Sequence, residues 1–213
     1  MTWGHGGEGW PGTQPRRART YGGGRFCSRM EIMVRTYAWP MSATFTIRPC
    51  EDGDWPDVLR LLTDVYVGEG YVGRERAAAF YQRELLEGAG TVLTAVEGRG
   101  GPGVLGVVIL LHRGSPLTQV AREDEAEFRL LAVDARGRGR GIGEALVAAC
   151  IAGASRAPLA ARRLVLWTRP RMTAAQRLYE RLGFRRAPER DGLLAPLPAG
   201  SPAVERWVYE RVL

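Results

Sequence analysis

The stretch Leu131–Ile151, LAVDARGRGRGIGEALVAACI, decides how the chain is read. It opens on the apolar end of Glu125–Val133, EAEFRLLAV, which has the make-up of a buried strand. It closes on a helix expected over 142–156, where Ile142, Leu146, Ala149, Cys150 and Ala154 mark one side. Between them stands Arg138–Gly143, RGRGIG. Closely spaced glycines let backbone N–H groups point inward with no side chain in the way. A helix N-terminus adds unpaired N–H groups and the positive end of a dipole. Arg136, Arg138 and Arg140 bring positive charge beside it. Together these features describe a pyrophosphate cradle. The competing reading is a glycine-rich loop with no ligand, and three neighbouring arginines without a counter-charge argue against it. A dinucleotide fingerprint needs G-x-G-x-x-G. Counted from Gly137, Gly139 or Gly141, the sixth position is Ile142, Glu144 or Leu146, so the fingerprint fails.

Working outward, residues 44–49 read as a first strand, and 51–66 as a helix with Asp54 as cap and Pro56 in its first turn. A second helix is expected over 74–87, ended by Gly88-Ala89-Gly90. Strands follow over 91–97 and 104–111, joined by the glycine-rich turn 98–103. A polar loop over 113–124 leads to the strand 125–133. After the long helix come a strand at 163–168, a helix at 173–184 and a last strand at 203–212. Residues 193–205, rich in proline, read as loop. The order β-α-α-β-β-β-α-β-α-β-β describes an α/β chain, a mixed sheet layered between helices.

The 213 residues suit one such domain with appendages. No apolar run approaches the ~20 residues of a membrane span, and no secretory h-region is visible, so a cytoplasmic, membrane-free protein is expected. Residues 1–40 differ from the rest, with eight of the 28 glycines and a charge of +4 from six arginines and two glutamates. Two readings fit them: a flexible leader, or a start at Met30, Met33 or Met41. The remainder carries 24 basic and 21 acidic residues and is only mildly basic, and nucleic acid is not expected as a partner. Every basic residue is arginine. That excludes the phosphate loop ending in GK[ST] and any Schiff-base lysine. Three cysteines form no CxxC pair, His5 and His112 stand far apart, and no metal site is expected.

The turn RGRGIG resembles the signature [QR]-x-x-G-x-[GA] of the GCN5-related N-acetyltransferase superfamily. A second match lies downstream, where Ala175–Phe184, AQRLYERLGF, is similar to that family's A-x-x-x-Y-x-x-x-G-F ending. The two occur in the family's order, separated by one strand. The resemblance covers about 44–213 and implies a single acyl-CoA N-acyltransferase domain over 41–213 with a mixed, mostly antiparallel central sheet flanked by helices. It implies acetyl-CoA as acyl donor, its pyrophosphate on the backbone of Arg138, Gly139, Arg140, Gly141, Ile142 and Gly143. Leu131, Ala132 and Val133 would bond its pantetheine arm where neighbouring strands splay, and the backbone near Leu131 is a candidate oxyanion donor. The implied reaction is direct attack of an amine on the thioester.

By the same resemblance, Tyr179 is the candidate acid for the departing thiolate; the alternative is a ring packed against Ala175 and Leu182. Glu127 is the candidate base; the alternative is an ion pair with Arg129. The family often places Asn seven residues before the tyrosine, where this chain has Met172. Acceptor selectivity would come from the first two helices and their loop, 65–75. There Tyr66, Glu69 and Tyr71 are candidate acceptor contacts, with Glu69 favouring a cationic amine; a solvated loop is the alternative. The acceptor is an amine-bearing small molecule or a protein or peptide, and the chain a monomer or homodimer. A non-catalytic acyl-CoA-binding or regulatory module is the second function class.

Overall fold

The computed structural model describes residues 45–98, 103–194 and 204–213. The expected leader and its alternative starts lie outside these residues, as do most of the turn 98–103 and the segment 195–203. Strand β1 spans Phe45–Pro49. A single 3-10 turn, Asp52–Asp54, leads into α1, Trp55–Gly68, whose first turn holds Pro56 where no N–H partner is needed. Helices α2, Arg74–Phe80, and α3, Arg83–Ala89, follow. Then come β2, Gly90–Glu97; β3, Val104–Leu111; and β4, Glu125–Val133. Helix α4 is Ile142–Ala154, β5 is Arg163–Thr168, and α5 is Thr173–Arg181. The chain ends in β6, Arg185–Arg186; β7, Gly192–Leu194; and β8, Val204–Val212.

The strands run in the order β1-β2-β3-β4-β5-β8-β6, with β7 also on β8. Every pair is antiparallel except β4 with β5. Helices cover both faces, which is why β3, VLGVVILL, is apolar and buried at every position. On one face α1–α3 bury Trp55, Leu61, Leu62 and Leu86 with Val107 and Ile109. On the other α4 buries Leu146, Val147 and Cys150 with Leu105, Leu110 and Leu164.

Two expectations are corrected. The single helix expected over 74–87 is two, because the chain turns at Tyr81 (φ −92°, ψ 67°) and Gln82 is extended. After that turn the Tyr81 ring is buried, 6.2 Å from the Tyr66 ring. Residues 192–194, partly read as loop, form β7 along Val204–Arg206 of β8.

The β3–β4 register carries the site. Val107 faces Ala132 but Ile109 faces Arg129, so Leu130 and Leu131 together oppose Val108. This is a β-bulge, and Leu130 sits at φ +57°, a left-handed conformation unusual for leucine. On its other edge β4 pairs with β5 only from Glu125 to Glu127. Beyond Glu127 the strands separate, and the rest of that edge has no ladder partner among the described residues.

Candidate active site

The gap between β4 and β5 opens into a cavity of about 110 Å³. Its walls include Phe128–Leu131 of β4, Leu166–Arg169 at the end of β5, Tyr179 of α5, Tyr66 of α1, Tyr71 of the α1–α2 connection, Arg76 and Phe80 of α2, and Tyr81 just after α2.

Tyr179 is 5% exposed, yet it lines the cavity. Its ring packs about 6 Å from those of Phe128, Phe184 and Tyr209. Burial first, and the Cys150 thiol second, hold its hydroxyl well above the ordinary phenol pKa; no hydrogen bond is among the influences on it. A protonated phenol whose hydroxyl has no bonding partner among the described residues is a donor in waiting. Packing and chemistry therefore coexist at this residue.

The turn Arg138–Gly143 lies between β4 and α4, where the sequence places it. Gly139 and Gly141 take φ +76° and +80°, which a side chain would strain. Helix α4 starts at Gly141 with no side-chain cap. The backbone N–H groups of Gly139, Gly141, Ile142, Gly143 and Glu144 form no hydrogen bond among the described residues. Five unpaired donors at the start of a 13-residue helix fit the oxygens of a pyrophosphate. The arginines beside them, however, do not lack counter-charge. Arg136 pairs with Asp134 at 2.9 Å, Arg138 with Glu69 at 2.6 Å and Arg140 with Glu97 at 3.2 Å. The arginine charges are thus balanced by carboxylates of the chain, and the feature that fits an anion is the set of unpaired N–H groups.

Leu131, Ala132 and Val133 lie on the unpaired edge of β4, past the last β5 partner. The Leu131 carbonyl already accepts a hydrogen bond from the Tyr66 hydroxyl at 3.0 Å. Tyr66 thus lines the cavity with its ring while its hydroxyl braces the bulge. Tyr71 also lines the cavity, its ring 6.3 Å from that of Tyr66 and stacked under Arg171 at 4.8 Å.

Two residues stand elsewhere than expected. Glu69 is not a wall of this cavity; its carboxylate is exposed and spent on Arg138. Glu127 is 1% exposed and also not a wall. Its Oε2 accepts from the backbone N–H groups of Gln119, Val120 and Ala121 at 2.9, 2.9 and 3.1 Å. Its Oε1 has no hydrogen-bond partner among the described residues and lies 4.0 Å from Arg129 Nε. The carboxylate pins the loop before β4, which corrects the expectation of a base at the reacting amine. The Arg129 alternative holds only as this long contact. Met172 lines the cavity where the family's asparagine is absent, and the side chain of Gln176 ties the start of α5 by bonding the Arg169 and Pro170 carbonyls at 2.9 Å each. His112 is exposed beyond β3, away from the cavity.

Sequence reasoning missed the guanidinium groups of Arg76, Arg129 and Arg169 and the ring of Trp167 in the walls. Trp167 near the end of β5 and Arg169 just after it lie two and four residues past Val165, the last β4 partner, so an alternating strand pattern gives no sign that they border a gap.

A family model described as "Acetyltransferase (GNAT) family" matches residues 55–184. The chain belongs to the GNAT acetyltransferase family. A GNAT fold is also what solved structures share with it. A GNAT-family acetyltransferase of Staphylococcus aureus Mu50 is 17% identical, with TM-score 0.59 over 79% of this chain and 99% of that one. A GCN5-related N-acetyltransferase of Kribbella flavida is 25% identical, with TM-score 0.56 over 80% and 98%. Arabidopsis thaliana NAA60, solved with a bisubstrate analogue, is 23% identical, with TM-score 0.58 over 79% and 98%. Comparison with curated proteins finds no match. As a GNAT protein the chain is an acyltransferase by family and fold, and no helix among its described residues is long and apolar enough to cross a membrane.

Proposed function

We propose that this protein is an N-acetyltransferase that moves an acetyl group from acetyl-CoA to an amine by direct attack in a ternary complex. One observation carries the reading. The five unpaired N–H groups at the start of α4 and the unpaired edge of β4 lead to a cavity walled by Tyr179. Bound acetyl-CoA would supply an activated acyl group, its C–S bond breaking as a C–N bond forms to the amine.

The chain's own part is to hold, orient and move protons. Gly139 to Glu144 would hold the pyrophosphate by backbone donors, with Arg138 and Arg140 adding charge beside them. The free edge of β4 from Leu131 to Val133 would orient the pantetheine arm. Tyr179 gives its hydroxyl proton, or a hydrogen bond, to the departing sulfur, a role suited to a phenol kept protonated by burial. No carboxylate or imidazole lines the cavity among the described residues, so the amine's proton is assigned to water. The unit that does this is residues 41–213, in the cytoplasm.

The test is calorimetric titration of the full-length chain with acetyl-CoA, with NAD and ATP as controls, followed by amine-dependent release of CoA thiol. Selective saturable binding with release supports the proposal. A folded chain that does not bind acetyl-CoA overturns it. Binding with no transfer to any amine would return the chain to the class of non-catalytic acyl-CoA modules.

A further inference from the structure

The cavity wall is short of negative charge. Arg76, Arg129 and Arg169 all line it, and no Asp or Glu does among the described residues. Arg129 is deeply placed, its guanidinium bonded to the Leu117 carbonyl at 2.8 Å and stacked 5.2 Å from the Trp167 ring. Its nearest acid is the anchored Glu127, at 4.0 Å. No carboxylate is among the main influences on Arg169: burial first, then the neighbouring charges of Arg171 and Arg76, make its proton easier to lose, against a weaker opposing effect of the Tyr81 and Tyr71 phenols.

The uncharged polar groups lean the same way. The indole N–H of Trp167 and the hydroxyl of Thr168, both on the wall, are buried with no hydrogen-bond partner among the described residues. An unsatisfied buried donor costs free energy until an acceptor arrives. The cradle that suits the phosphates of an acyl-CoA lies elsewhere, since no residue from Arg138 to Gly143 borders this cavity. A neutral thioester would bring no negative charge to these guanidinium groups. A cationic acceptor would add to them.

We propose that the amine acceptor also carries an anionic group, a carboxylate or a phosphate, which Arg169 and Arg76 receive while the amine faces Tyr179. The rings of Phe80, Tyr81 and Trp167 give the body between the two ends an apolar lining. This rests on the acetyl-transfer reading, and it replaces the cationic preference that Glu69 suggested in sequence.

The test uses full-length protein and matched pairs differing in the anion alone. Phenylalanine is set against phenylalaninamide and 2-phenylethylamine, and phosphoethanolamine against ethanolamine. With saturating acetyl-CoA, kcat/KM for the anionic member should exceed that of its uncharged-end counterpart by about tenfold or more in one of the two series, as expected for a charge-assisted bond to a guanidinium. Which series responds distinguishes carboxylate from phosphate. Arg169→Gln should reduce that ratio at least tenfold, and Arg76→Gln provides a second variant should the first fold poorly. Equal or better use of the anion-free members in both series overturns the inference, as does an Arg169→Gln protein that folds with the ratio unchanged. The same pairs are titrated calorimetrically into protein saturated with CoA. Anion-selective binding without turnover supports this inference while failing acetyl transfer; turnover without anion preference does the reverse. Absence of binding by every anionic probe overturns it.

Discussion

Glu127→Gln separates an anchor from a base. The native carboxylate takes three backbone N–H bonds on Oε2, at 2.9, 2.9 and 3.1 Å, in a site 1% exposed. Hydrogen bonds to a charged group are worth about 1.5–3 kcal/mol each and neutral ones about 0.5–1.5. Making the acceptor neutral therefore weakens each bond by about 1 kcal/mol, or about 3 kcal/mol in all. The glutamine amide N–H₂ would also fall at the Oε1 position, 4.0 Å from the Nε of Arg129, donor against donor. Relief of the cost of burying a charge offsets part of this, leaving a net loss of about 1–3 kcal/mol. For a chain of this size that lowers Tm by about 2–12 °C. Thermal denaturation and steady-state kinetics on one preparation, assayed well below the lowered Tm, read both quantities. The anchor predicts a lower Tm with kcat within about threefold of wild type. A general base contributes about 10²–10⁴-fold. A fall in kcat of that size at unchanged Tm would refute the anchor and restore Glu127 to the chemistry.

Tyr179→Phe keeps the ring in its cluster and loses no internal hydrogen bond, so Tm should hold within about 2 °C while kcat falls by about 10² or more and acetyl-CoA affinity stays within about twofold, read by single-turnover kinetics and calorimetry. Because burial raises the Tyr179 pKa, the pH–kcat profile of the wild type should show no descending limb from this group between pH 8 and 10; a limb there that vanishes in the Phe variant would contradict the assignment. Arg138→Glu should weaken acetyl-CoA binding both by repelling the pyrophosphate and by breaking the ion pair with Glu69; adding Glu69→Arg re-forms the pair but should leave calorimetric affinity low, and full recovery would mean Arg138 acts only as a brace. Arg190, whose side chain is 5% exposed, bonds Glu125, Glu210 and the Val120 carbonyl, so Arg190→Met should cost about 3–5 kcal/mol in chemical denaturation by leaving the buried Glu125 carboxylate with only the Arg122 N–H and a 3.7 Å contact to Arg163. Burial alone would raise the Glu125 pKa, but Arg190 and the Arg122 N–H bring it below the ordinary value, so the stability it lends is complete above about pH 5 and is lost as pH falls through the depressed folded value; part of that acid sensitivity should disappear in Arg190→Met.

The layers of the fold were legible because each depends on local pattern. The apolar run at Val104–Leu111 could only be a strand covered on both faces, and the spacing of Ile142, Leu146 and Cys150 could only be a helix face. The glycine turn was legible for the same reason: closely spaced glycines ahead of an apolar helix are a local feature, and two of them take φ +76° and +80°. What failed depended on distant partners. Glu127 read as a base and Glu69 as an acceptor contact until the loop at 119–121 and the guanidinium of Arg138 are seen to bond them. Arg169 read as one arginine among many, and only its position past the last β4–β5 pair makes it a cavity wall.

The feature that joins fold to chemistry is the least visible in sequence. Leu130-Leu131 fits a regular strand by composition, yet both residues face the single Val108, and Leu130 is held at φ +57°. A left-handed non-glycine residue costs about 1–3 kcal/mol and persists where its surroundings over-determine it. Here the surroundings are identifiable: Tyr66 bonds the Leu131 carbonyl from α1, and Leu130 packs against the α1–α3 core. A regular β4 would shift by one residue relative to β3 and turn every later side chain to the opposite face. Leu131 and Val133 would exchange faces with Ala132, and the strand edge proposed to receive the acyl arm would enter the turn at Arg138 in the wrong phase. The strain at Leu130 is thus what lets one strand hold Phe128 against Tyr179 below the bulge and feed the glycine–arginine cradle above it.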